Sequence, residues 1–170
     1  MSALHGRRNN PFDARLVAVL AMGFAGLVLA IGQVMEHGFG HIPCPLCLMQ
    51  RLWFLCAGLV AALALADDPR RPIWALLLAL VSLVGAGFAV RQLWLQSLPA
   101  DQVPACTPPI DFMLQSGYPG LDILRAMTSG TGDCAKVGWS LFGLSFAGWA
   151  LVGFLGLVAL AVVQVGRSRA

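Results

Sequence analysis

Charge is what this sequence most conspicuously lacks. Of its 170 residues 11% are Asp, Glu, Lys or Arg and 58% are hydrophobic, whereas a soluble domain carries about 25% charged residues. Four long stretches, 16–35, 48–66, 73–95 and 141–165, contain no acidic residue. With a mean hydropathy of +0.78, that distribution excludes an ordinary water-soluble core. The stretches also lack the alternating polarity and the short segments, about 10 residues each, of outer-membrane barrel strands. Each is long enough to cross about 30 Å of hydrocarbon as a helix. No internal repeat or low-complexity tract is present, which excludes solenoids and disordered linkers. The expectation is an all-α fold: a polytopic membrane four-helix bundle forming a single domain, with outer loops at about 36–47 and 96–140.

The first stretch is too long for a cleaved leader. Arg7, Arg8 and Arg15 precede it and Ala30-Ile31-Gly32 loosely imitates a cleavage site, but a signal h-region has only about 7–15 apolar residues. A retained helix is expected, with small residues at Ala21/Ala25 and Gly26/Ala30 for close helix contact. Residues 1–14 read as a basic arm that sets topology. Arg7, Arg8, Arg15, Arg70, Arg71, Arg167 and Arg169 fall in the segments at one side of the four helices; Arg125 and Lys136 fall at the other. The positive-inside bias puts both termini and the 67–72 turn in the cytoplasm. For a bacterial inner membrane the opposite side is the periplasm, where disulfides persist. The net charge of +3 is thus spent on topology and gives no ground for nucleic-acid binding.

Four of the five cysteines then face outward. Cys44 and Cys47 form a Cys-x-x-Cys in Pro43-Cys44-Pro45-Leu46-Cys47, where a polar loop becomes an apolar helix starting around Pro45. A second Cys-x-x-Cys, which a zinc site would need, is missing. His37 and His41, four apart, have no supporting pattern of carboxylates and read as interfacial polar residues. Cys47 lies in a first helical turn, where unpaired N–H groups and the helix dipole favour a thiolate. Arg51 follows one turn deeper on the same face. A buried unpaired cation is costly; an arginine snorkelling to lipid phosphate is the bland alternative, but with the cysteine pair above it the favoured reading is a quinone carbonyl, whose negative charge grows on reduction.

Cys106 and Cys134 lie in the long outer segment. A structural loop disulfide would stabilise it by roughly 3 kcal/mol, but four outer cysteines allow three pairings. Cys106 sits in the extended, proline-bounded Val103-Pro104-Ala105-Cys106, suited to presenting a sulfur to another protein. Cys134 follows Gly130-Thr131-Gly132-Asp133; Lys136 would favour its thiolate and Asp133 oppose it. Leu121, Ile123, Leu124 and Met127 recur at helical spacing and predict a short amphipathic helix on the bilayer surface. Ser82, Gly85 and Ala89 are candidate packing notches in the third helix. Cys56, among Leu and Ala, reads as a small hydrophobe. Trp53, Phe54, Trp94, Trp139 and Trp149 read as interfacial anchors, and Arg91 as a contact to headgroups or to a bound anion or quinone.

Together these residues resemble the DsbB family of quinone-dependent disulfide-forming membrane proteins. The resemblance rests on Cys44-Pro45-Leu46-Cys47 with Arg51, on Leu95-Gln96-Ser97-Leu98-Pro99 before Cys106, and on Ser129-Gly130-Thr131-Gly132-Asp133-Cys134-Ala135 with Trp139. Gly143-Leu144-Ser145 and Trp149 continue it into the last helix. It implies Cys44, Cys47, Cys106 and Cys134 as catalytic residues, with Arg51 and Cys47 binding ubiquinone or menaquinone. It also implies a DsbA-like periplasmic thiol oxidase as partner, reoxidised through a Cys106–Cys134 disulfide that exchanges with Cys44. Vitamin K epoxide reductases combine a bundle with Cys-x-x-Cys and loop cysteines as well, and a membrane scaffold with a structural loop disulfide is the non-enzymatic alternative. The arginine after Cys47 and the Gly-Asp-Cys sequence favour the first family.

Overall fold

Three of the four long helices open on a proline, whose missing N–H is harmless in a first turn: α1 spans Pro11–Phe39, α2 Pro45–Ala66 and α3 Pro72–Gln96. The fourth, α6, spans Phe146–Arg169. The computed structural model describes residues 11–40, 43–99, 101–106, 108 and 110–169. Most of the expected basic arm, with Arg7 and Arg8, and His41 lie outside the described residues. All four helices are long and apolar enough to cross a membrane. Outward residues such as Leu52, Leu55, Leu59 and Leu63 form a stripe at helical spacing, each about half exposed, as a lipid-facing surface requires. The protein is an all-α, multi-pass membrane bundle.

Since lipid is as apolar as leucine, membrane helices associate through close packing rather than water exclusion. The inner faces are accordingly small: Ala21, Ala25, Ala57, Ala61, Ala86, Ala89 and Ala161 are buried. Phe54 and Phe154 stack at 3.9 Å between centroids, and the Phe154 ring occupies the space a side chain at Gly85 would take. Gly85 is therefore a true notch, and Ser82 and Ala89 are buried on the same helix. Of the α1 pairs, Ala21/Ala25 is buried while Gly26/Ala30 faces outward. Phe54, expected at an interface, is a core residue, 1% exposed.

Two boundaries differ from the sequence expectation. The first helix does not end at Met35 but continues to Phe39, so Glu36 and His37 are helical and His37 Nδ1 lies 3.2 Å from the Gln33 carbonyl oxygen. The last helix does not include residues 141–145. There β1 (Ser140–Leu141) and β2 (Leu144–Ser145) pair antiparallel around Phe142-Gly143, both with positive φ. Ser145 Oγ then accepts the Gly148 N–H at 3.4 Å and caps α6, a role serine fills well.

At one end of the bundle, the 67–71 turn is tied by Arg71 to Asp67 at 2.8 Å and by Arg70 to Asp68 at 3.3 Å. The Arg70 backbone N–H, with its side chain, holds the Asp68 carboxyl below the usual carboxylate range. Gln164 of α6 donates to the Pro69 carbonyl. At the other end lies the 97–139 segment, with α4 (Ile110–Gln115), the expected amphipathic helix as α5 (Gly120–Ser129), and a 3-10 turn at Gly132–Ala135. Leu121 and Leu124 on α5 are exposed.

Candidate functional site

Cys44 is the N-cap of α2, with extended backbone, and its sulfur accepts the Cys47 N–H at 3.4 Å. Pro45 opens the helix, and Cys47 falls in its first turn facing back toward Cys44, with 2.9 Å between the two Sγ atoms. The 3-10 turn brings Cys134 to the same place: Cys134, Leu46 and Leu95 form a small buried cluster against which Cys44 packs. Gly130 makes this approach possible. Its φ is +78°, and a Cβ there would lie 2.7 Å from both Leu46 Cδ1 and Leu95 Cδ1. Cys106 stands on the outer side of the turn, exposed, with its Sγ 3.1 Å from where a Gly132 Cβ would be. The Gly132 N–H bonds the Ala105 carbonyl at 3.3 Å. All four outer cysteines thus converge at one end of the bundle.

Electrostatics separates them. Cys44 donates its proton toward Cys134 and Cys47, which pushes its own pKa far up. The same hydrogen bond from Cys44, joined by backbone N–H groups of Thr131 and Leu46, brings the Cys134 thiol down to about 6 against the opposing effect of burial. Asp133 and Lys136 pair at 2.9 Å. Lys136 holds the Asp133 carboxyl low, and Asp133 raises Lys136 in turn. The contest between them over the Cys134 charge is therefore largely settled within the pair, and Cys44 does the work.

Arg51 is placed differently from the expectation of an unpaired cation. Because α1 runs a further turn, Glu36 reaches Arg51 and the two form an ion pair; Arg51 Nη2 also donates to the Gly32 carbonyl at 2.9 Å. The need for a ligand to neutralise the arginine disappears, and the lipid-phosphate reading loses its premise too. Glu36 is the residue that the sequence reading placed in a loop and missed. Two further polar residues were missed: Gln50 and Gln92, both buried, bond each other at 2.8 Å beside the cysteine sulfurs. Their signal was available, since amides inside apolar helices are costly unless partnered.

A cavity of about 1290 Å³ opens beside these residues. Phe24, Leu27, Val28 and Ile31 of α1 line it, together with Cys44, Cys47, Arg51, Trp139 and Trp149. Trp139 stacks on Phe146 at 4.6 Å, and Trp149 Nε1 donates to the Leu141 carbonyl at 3.1 Å. Arg91 does not line this cavity; it donates to the Ser129 carbonyl at 3.2 Å and lies 4.3 Å over the Trp94 ring. Cys56 lies half-buried on α2, outside this cluster.

A sequence model of the family described as disulfide bond formation protein DsbB matches residues 14–164, all four long helices and the cysteine-bearing segment between them. The chain belongs to the DsbB family. Curated relatives named disulfide bond formation protein B agree. That of Marinobacter nauticus is 49% identical over 146 residues, covering 84% of this chain and 86% of its own. That of Hahella chejuensis is 49% identical over 131 residues, 75% and 79% of the two chains. Disulfide bond formation protein B 1 of Pseudomonas aeruginosa is 38% identical over 151 residues, 86% and 92%. No solved structure matches the chain. DsbB membership gives this multi-pass protein a part in disulfide bond formation and an oxidoreductase character, and it leaves the vitamin K epoxide reductase resemblance without support.

Proposed function

We propose that the protein is a thiol:quinone oxidoreductase of the bacterial inner membrane that reoxidises a DsbA-like periplasmic dithiol oxidase. The observation that carries this reading is the meeting of Cys134 with Cys44 and Cys47 beside an apolar cavity that Cys44, Cys47 and Arg51 line, with Cys106 exposed alongside. Exchange begins when a partner thiolate attacks Cys106 of a Cys106–Cys134 disulfide, breaking that bond and releasing Cys134. A leaving thiol with a low pKa departs faster, and with Cys44 held in its disulfide the backbone N–H groups of Thr131 and Leu46 still favour Cys134 as the thiolate. Cys134 then attacks Cys44 of a Cys44–Cys47 disulfide, and Cys47 leaves with the electron pair. The partner's second thiol closes its own disulfide and frees Cys106. Cys106 reclaims Cys134 from Cys44, and Cys44 closes back on Cys47 as two electrons pass to the acceptor.

A bound quinone supplies that acceptor, taking up two electrons and two protons. The cavity fits such a group. It is larger than the 300–1,000 Å³ usual for small-molecule sites, so it has room for a ring and part of an isoprenoid tail, and its walls are mostly aliphatic and aromatic. Cys47 and Arg51 would hold the ring end. Arg51 has N–H groups beyond those given to Glu36 and Gly32, since a guanidinium carries five. Both termini and the 67–71 turn lie on the cytoplasmic side in this reading, and the four cysteines at the periplasmic surface.

Capture of the partner tests the exchange half. A DsbA-like oxidase whose second active-site cysteine is replaced should form a mixed disulfide with the oxidised full-length protein, visible on non-reducing gels. Cys106→Ser should abolish it. Capture that survives Cys106→Ser would contradict the assigned entry point.

A further inference from the structure

Gln92 of α3 reaches across the bundle to both sulfurs of the Cys-x-x-Cys. Its Nε2 lies 3.4 Å from Cys44 Sγ and 3.3 Å from Cys47 Sγ, and its Oε1 lies 3.6 Å from Cys47 Sγ. Gln50 of α2 donates Nε2 to that Oε1 at 2.8 Å. Both glutamines are buried, 5% and 3% exposed. A buried amide has two donors and two acceptor lone pairs to satisfy, and an unsatisfied one costs the full desolvation penalty. The Gln50 donor requires the carbonyl end of Gln92 to face α2, which leaves the NH2 end pointing at the sulfurs. The donation also polarises the Gln92 amide and strengthens its remaining N–H groups.

We infer that Gln92, held in orientation by Gln50, is a positioning residue that supplies the Cys44–Cys47 dithiol with a neutral hydrogen-bond donor for the thiolate released at Cys47. The inference deepens the proposed relay and rests on it, because an exchange that expels Cys47 generates negative charge there. Arg51, one turn further along α2, is bonded to Glu36 and to the Gly32 carbonyl, and Cys134 adds a further sulfur from the loop. Gln92 is the neutral side chain bonded to both sulfurs among the described residues. Being uncharged, it stabilises a thiolate without forming the tight ion pair that a second cation would make. Its carbonyl at 3.6 Å gives the protonated thiol an acceptor, so the same amide serves Cys47 before and after ionisation.

The test needs neither quinone nor partner. The reduced full-length protein in nanodiscs is alkylated at a series of pH values, and modification of Cys47 is read by peptide mass spectrometry. Gln92→Leu, similar in size but without polar atoms, should lower Cys47 alkylation at pH 7 about tenfold, the scale of one hydrogen bond to a charged group, and move the profile to higher pH. Gln50→Leu should give a smaller shift in the same direction. Adding Gln50→Leu to Gln92→Leu should change nothing more, since Gln50 acts through Gln92. Should Gln92→Leu fail to give a helical, monodisperse protein, Gln50→Leu alone decides the matter. An unmoved profile, a shift to lower pH, or fully additive effects would overturn the inference. Loss of partner capture or of quinone reduction in the unsubstituted protein would instead remove the relay itself, leaving this readout intact.

Discussion

At the residue scale the site is a competition for protons among sulfurs. Cys44 acts as the donor and Cys134 gains from it. Titration of the reduced protein by thiolate ultraviolet absorbance should therefore show a step near pH 6 that disappears in Cys134→Ser. An ordinary cysteine would titrate at about 8.5. The sign is that of a depressed pKa: Cys134 is a thiolate above about pH 6 and is protonated as the pH falls through that value. Cys44→Ala removes the largest cause and should move the step upward; a step that stays near 6 would show that the Thr131 and Leu46 backbone groups suffice. Arg51→Ala should raise the apparent KM for quinone by about tenfold or more, the scale of one charge-assisted hydrogen bond, while leaving partner capture at Cys106 unchanged. Steady-state kinetics with unaltered quinone dependence would remove Arg51 from the binding site. Glu36→Gln should weaken the hold on Arg51 without deleting the cation, and so give a smaller KM effect than Arg51→Ala.

At the element scale, close approach is what brings the loop to the bundle. Gly130, with φ +78° and Leu46 and Leu95 filling the space a side chain there would need, permits the turn that seats Cys134 against Cys44. Gly130→Ala combines a backbone cost of about 1–3 kcal/mol with a direct clash, and should reduce the yield of the Cys44–Cys134 cross-link under mild oxidation. An unchanged yield would mean that the turn is held elsewhere. Gly85→Ala should destabilise the bundle by about 1–3 kcal/mol through overpacking against Phe154, readable as a lower midpoint in thermal unfolding in detergent. The elements themselves were largely legible in the sequence. Apolar runs of span length without acidic residues pointed to four helices, Pro45 to the start of α2, and the spacing of Leu121, Ile123, Leu124 and Met127 to α5. Gln50 and Gln92 stood out as amides in apolar helices, but which residue each meets, and that Glu36 meets Arg51, was not legible, because periodicity along one helix carries no information about the facing one. The 140–145 hairpin escaped because Leu141, Phe142 and Leu144 run into the apolar helix that follows, and the reversal depends on positive φ at Phe142 and Gly143.

At the scale of the whole molecule, the bundle has chemically unlike ends. One gathers Cys44, Cys47, Cys106 and Cys134; the other carries the Asp67–Arg71 and Asp68–Arg70 pairs. If the arginine-rich end is cytoplasmic, an impermeant maleimide added to intact spheroplasts after treatment with a thiol reductant should label Cys106, whereas a cysteine introduced in place of Asp68 should react only after permeabilisation. The reverse pattern would invert the topology and separate the sulfurs from any periplasmic partner. The most direct measurement is optical: the purified full-length protein in quinone-loaded nanodiscs, supplied with a reduced DsbA-like oxidase, and followed by loss of the oxidised-quinone absorbance. The account predicts catalytic bleaching in step with oxidation of the partner, abolished by Cys47→Ser. A partner that becomes oxidised while the quinone spectrum stays unchanged, or bleaching that persists in Cys47→Ser, would contradict it.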